Sequence, residues 1–185
     1  MNRSKSAMAL IISAALALST AAFAETQFTG TLVAPAGTAV RAGSAPVVIH
    51  IDHYTEDAEV QRLRGILGGK GPDALRDALW DQEAGYIRIG GSLGYPIAAA
   101  RSHATPDGGT IVRLMIDRPI AQTEVINNLR TVDYPFAYIE LKLDRTGKGN
   151  GEFYQAARVS LAGKDQVDVE NYSPQPLKLL NVHAR

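Results

Sequence analysis

The chain has 185 residues, 19 Lys plus Arg against 19 Asp plus Glu, and no cysteine. That length supports one domain with its own core, and the lack of thiols excludes a disulfide scaffold, an acylated-cysteine anchor and thiolate zinc clusters. A balanced charge also lacks the basic excess on which nucleic-acid binding draws, so no nucleic-acid partner is expected.

In chain order, the first 24 residues follow the plan of a secretory signal. Arg3 and Lys5 precede an apolar run from Ala7 to Leu18, which ends in the small-residue motif Ala22-Phe23-Ala24. The pattern predicts cleavage after Ala24 and a single mature domain over residues 25–185, periplasmic or secreted. Loss of Arg3 and Lys5 leaves 17 basic against 19 acidic residues, a mildly acidic product. No later window holds the run of about 18 apolar residues that a membrane span needs, so the product is not expected to be membrane-integral.

Phe28 to Ala34 reads as a strand and Pro35 to Ala45 as a loop or loose hairpin. Val47 to Tyr54 is β-branched and strand-like, with Val47, Ile49 and Ile51 on one face and Val48, His50, Asp52 and Tyr54 on the other. Thr55 is the expected N-cap of a helix with Glu56, Asp57 and Glu59 in its first turn and an apolar stripe of Val60, Leu63, Ile66 and Leu67. Gly68-Gly69 is expected to stop that helix. Pro72 opens a second, carrying Leu75, Ala78 and Leu79 and ending by Gly85, so the pair forms a helical hairpin.

Tyr86 to Ile89 is a short strand, and Ile97 to Ala104 pairs with Thr110 to Asp117 across the turn Pro106-Asp107-Gly108-Gly109. Pro119 starts a third predicted helix with Ala121, Val125, Ile126 and Leu129 at helical spacing. The period then becomes two. Ala137, Ile139, Leu141 and Leu143 point inward, opposite Tyr138, Glu140 and Lys142; after a glycine-rich tip, Phe153, Ala157, Val159 and Leu161 are assigned inward as well. Ala162 to Asp165 turns the chain into Val167 and Val169, and a last strand runs through Leu177 and Leu179. Hairpins outnumber strand–helix alternations, which predicts an α+β fold with a mainly antiparallel sheet, open or curled toward a barrel.

Five phrases, IDHYTEDAEVQRL, GYIRIGGSLGYPI, PDGGTIVRLMIDRPI, DYPFAYIELKLD and VENYSPQPLKLLNV, fall between about Val47 and His183. Their wording resembles an uncharacterised family of small secreted bacterial proteins. The resemblance implies a secreted single domain and carries no activity, ligand or catalytic residue with it.

Five constellations are candidates for chemistry. Gly90-Gly91-Ser92-Leu93-Gly94 matches the G-x-S-x-G nucleophile elbow, with His183 as candidate base and Asp133 or Asp144 as candidate orienter. An elbow should launch a long helix, whereas Pro96 follows closely and the chain runs on into a hairpin. His50 and Asp52 share a strand face and could offer two ligands to a divalent metal; His53 points the other way, leaving His103 or His183 to complete the set. Gly68 to Gly71 lacks the spacing of a phosphate loop, and Asp144 to Gly151 has too few acids for a calcium loop, so both read as turns and no cofactor is expected. Finally Tyr138, Tyr154, Arg158 and Tyr172 fall on one outward phase of the last strands. That phase predicts a non-enzymatic binding surface on a sheet face, for a small ligand or protein partner. The serine hydrolase at Ser92 and the metal site at His50 and Asp52 are the alternatives.

Overall fold

The computed structural model describes residues 26–34, 43–120, 133–163 and 167–185. The predicted signal segment and the predicted third helix at Ala121 to Leu129 lie outside the described residues.

The described chain is α+β, with ten antiparallel strands and two helices. The strands are β1 (Thr26–Val33), β2 (Ser44–Ile51), β3 (Gly85–Ile89), β4 (Tyr95–Ile97) and β5 (Ala99–Ala104), followed by β6 (Thr110–Ile116), β7 (Phe136–Leu143), β8 (Lys148–Leu161), β9 (Val167–Asn171) and β10 (Leu177–Ala184). They hydrogen-bond in the order β4-β3-β2-β1-β10-β8-β7-β6-β5, and β9 pairs with β8 beside that path. The two ends of the order, β4 and β5, are separated in sequence only by Ala98. One stretch of chain thus pairs with β3 through its first half and with β6 through its second, curling the sheet into a nearly closed barrel. Backbone bonds at the corner, Ala84 N–H to Ile97 O and Ala98 N–H to Met115 O, hold the switch in place.

Period-two alternation fills the barrel. Phe28, Ile49, Ile87, Leu114, Ile139 and Leu179, each from a different strand, are buried in one apolar cluster with their neighbours. Its interior is therefore packed core rather than a ligand-holding calyx. The outer face carries Arg88, Arg101, Arg113, Glu140, Lys142 and Glu152, the reverse of the apolar band that a membrane-spanning barrel shows to lipid. No helix among the described residues is long and apolar enough to cross a membrane.

Two bulges reset the alternation. Leu177 and Leu179 point inward, yet so does Val182, because Asn181 takes a left-handed conformation (φ 53°) in the irregularity opposite β1 and β8. Asparagine tolerates that region better than most residues, and Asn150 Oδ1 accepts its N–H at 3.2 Å. The second bulge lies between Phe136 and Tyr138 where β7 meets β8. It corrects the predicted phase of β8: Phe153 enters the barrel, whereas Ala157 and Val159 face outward, beneath the helices. Close pairing at the β7–β8 tip requires glycine at position 149, where a Cβ would collide with the Lys142 carbonyl.

The helices are α1 (Asp57–Lys70) and α2 (Pro72–Leu79), joined by Gly71 at φ 85°. Gly68 and Gly69 do not stop α1; they lie in its last turn, and the break comes at Gly71, whose N–H reaches back to Leu67 O. Nor is Thr55 the N-cap, a position that Glu56 takes without a side-chain bond. Thr55 instead pairs with β5 as a strand residue would: its N–H donates to Ala100 O at 2.8 Å, and its Oγ1 accepts from Ala100 N–H at 3.0 Å. The sheet outcompetes the helix for this hydroxyl because the buried Ala100 N–H has greater need of a partner than an exposed helix end. Leu63 and Leu67 of α1 and Leu75 and Leu79 of α2 then pack on Phe136, Tyr138, Ala157 and Val159, forming a second core outside the barrel.

Candidate functional site

Helix α1 does not lie flush on the barrel. A cleft of about 750 Å³ opens between α1, the outer face of β5 to β8, and β9. Strand register builds its floor in rows. Ala99, Met115, Tyr138 and Tyr154 are successive cross-strand partners and form an apolar row. Two residues further along each strand lies a charged row of Arg101, Arg113, Glu140 and Glu152, which continues to Lys178 of β10. Leu63 and Leu67 of α1 wall one side, with Arg64; Val167 and Val169 of β9 wall the other. A concave recess that sets apolar side chains beside convergent polar groups is a usual form of small-molecule site, and this cleft combines the two in comparable measure.

The charged row is ordered by its own contacts. Arg101 bridges sheet and helix, giving bonds to Thr55 O at 2.8 Å and to Asp57 Oδ1. Arg113 donates to Glu140 Oε2 at 2.9 Å, and Lys142 reaches the other oxygen of that carboxylate at 3.2 Å. Glu152 accepts from Lys178 and from the Tyr154 hydroxyl; the Lys178 bond, then the tyrosine bond, hold its carboxyl below the usual range. Burial pushes the Tyr138 phenol up to about 12. Burial, and after it the Glu152 carboxylate, raise Tyr154 as well. Both rings are therefore neutral at ordinary pH, meeting edge to face at 5.7 Å between centroids.

The structure divides the tyrosine surface in two. Tyr138 and Tyr154 line the cleft together, with Tyr138 mostly covered by the helices. Arg158 pairs with Glu170 on the β8–β9 ribbon, and Tyr172 packs edge to face on Tyr134, whose hydroxyl donates to Glu170. Alternation puts Arg158, Glu170 and Tyr172 on the face of the ribbon opposite Val159 and Val169, away from the cleft.

Ser92 sits in the turn between β3 and β4, and its Oγ accepts the Ile89 N–H at 3.1 Å. His183 lies on β10, its Nε2 bonded to Thr29 Oγ1 at 2.8 Å and its Nδ1 3.2 Å from Asn181 O. Asp133 stands exposed beside Tyr134. Among the described residues these three make no bond to one another. Asp144 turns its carboxylate onto Thr146 N–H, Thr146 Oγ1 and Lys148 N–H, closing the β7–β8 tip. His50 and Asp52 do meet, Nε2 to Oδ1 at 3.0 Å, within a surface stack in which His50 lies on Tyr86 and Arg88 over Tyr86. No third His, Asp or Glu joins them; among the described residues no group of three such side chains is placed to hold a metal. His53 is exposed beyond β2, and His103 lines the cleft.

Arg101, Arg113 and Glu140 were not singled out by sequence reasoning, although a signal existed. The turn at Pro106 to Gly109 sets the β5–β6 register and thereby places Arg101 opposite Arg113. The unbroken apolar run Phe136-Ala137-Tyr138-Ile139 was a second signal, because a strand apolar on both phases is covered on both faces. Comparison of the chain with protein-family models, with curated proteins and with solved structures finds no match.

Proposed function

We propose that the chain is an exported, non-enzymatic binding domain that takes a small ligand in the cleft between α1 and the outer face of the barrel. The observation that carries this reading is the cleft itself: an apolar floor of Met115, Tyr138 and Tyr154 beside a charged row that includes Arg101 and Arg113, walled by Leu63 and Leu67 of α1. The barrel interior is filled, whereas the cleft offers a guest about 750 Å³. Export is supported by the three-part amino-terminal segment ending at Ala24. The non-enzymatic reading is supported by the local engagement of Ser92 and His183 in separate bonds.

A small-molecule fragment library screened by ligand-observed NMR tests the site. Val169→Trp places an indole at a half-buried position on the cleft wall. Fragments that bind the wild type and are lost with Val169→Trp support the cleft. Fragments that bind the folded variant with unchanged affinity overturn it.

A further inference from the structure

The chemistry of the two floor rows narrows the ligand class, on the premise that the cleft is the binding site. Arg101 and Arg113 are directly opposed on antiparallel strands, an arrangement in which like charges repel. Each has one carboxylate partner, Asp57 for Arg101 and, on the neighbouring strand β7, Glu140 for Arg113. Arg113 also bonds the Tyr138 hydroxyl. Both side chains line the cleft and remain about half exposed, at 43% and 50%. A guanidinium carries five N–H donors in a planar fork, and the bonds of Arg101 to Thr55 and Asp57 use two of them. Two residues away along each strand the floor is apolar, and Leu63 and Leu67 pack on it.

We infer that the cleft binds an anionic amphiphile, its carboxylate set between Arg101 and Arg113 and its hydrocarbon body lying along the half-buried Met115 and Tyr154, beside α1. Charge complementarity selects the occupant. A carboxylate between the two guanidiniums relieves their mutual repulsion and accepts charge-assisted bonds, while the adjoining row takes the body out of water. A neutral or cationic head of the same length meets the unrelieved arginine pair and is disfavoured. The cleft volume of about 750 Å³ lies within the roughly 300–1,000 Å³ typical of small-molecule pockets, room enough for a chain of about twelve carbons.

The test is calorimetric titration of the full-length protein with dodecanoate and dodecyltrimethylammonium below their micellar concentrations and with dodecanol below its solubility limit, at neutral pH and low salt. The expected result is saturable one-to-one binding of dodecanoate, about tenfold or more tighter than dodecanol, the factor that one charge-assisted hydrogen bond supplies. Arg113→Gln should remove that preference, with far-ultraviolet circular dichroism reporting that the variant is folded. Equal affinity for the three heads, with all three lost in Val169→Trp, overturns the amphiphile assignment and leaves the cleft as a site. Dodecanoate binding that survives both Arg113→Gln and Val169→Trp overturns the assignment and places the fatty chain elsewhere. Absence of dodecanoate binding to the wild type overturns it outright.

Discussion

Replacing Thr55 by Val probes the joint that holds α1 against the sheet and so sets the width of the cleft. The two side chains are nearly isosteric, so the change leaves no cavity and removes one acceptor. In the native chain Thr55 Oγ1 accepts the Ala100 N–H at 3.0 Å, and both residues are buried, Ala100 completely. Valine leaves that N–H unpaired inside the protein, which costs about 1–3 kcal/mol. With a urea m-value of about 2 kcal/mol/M, the denaturation midpoint should fall by about 0.5–1.5 M. Thr55→Ser is the control: it keeps the oxygen and loses one methyl, at a cost of about 0.8 kcal/mol. Urea unfolding followed by far-ultraviolet circular dichroism measures both. If Val proves no more destabilising than Ser, the hydroxyl does not serve the sheet and the account of this joint is wrong.

Three further outcomes are expected. Gly149→Ala drives a methyl into the Lys142 carbonyl and should cost about 2 kcal/mol or more, read from the same unfolding curves; a neutral effect would contradict the close β7–β8 approach. Tyr138, raised to about 12 in the folded protein from an ordinary 10.0, remains protonated there at pH values where the unfolded chain has already ionised. Stability should therefore hold below about pH 10 and fall as pH rises through 12, by up to about 3 kcal/mol from this group, and Tyr138→Phe should make that alkaline limb less steep. Ser92→Ala should cost about 0.5–1.5 kcal/mol through the lost Ile89 bond, and neither wild type nor variant should react with a fluorophosphonate; labelling that disappears in the variant would restore the hydrolase reading.

Much of the barrel was legible because alternation is a strong signal wherever one face is buried. The inward sets of β2 and β7, the β5–β6 turn and the apolar stripe of α1 all stand where the pattern placed them. Closure of the barrel was not legible. It depends on one corner at Ala98, where the chain changes partners between β3 and β6, and such a switch has no periodicity of its own. The β8 phase failed for a related reason, since a bulge of one residue inverts every later side chain while leaving composition untouched. At the candidate site Tyr138 and Tyr154 were visible as paired aromatics, but their surroundings depend on where α1 and α2 dock. That docking brought in the opposed arginines, and it turned an expected open sheet face into a walled cleft with Arg158 and Tyr172 on the far side of the ribbon.

The most direct measurement is backbone-amide chemical-shift mapping of the labelled protein with the tightest ligand found in either screen. The account predicts that saturable shifts concentrate on Met115, Tyr138 and Tyr154 of the floor, Leu63 to Leu67 of α1, and Val169 of β9. Shifts confined to the His50–Tyr86 stack or to the Tyr134–Tyr172 pair, with the cleft silent, would contradict it.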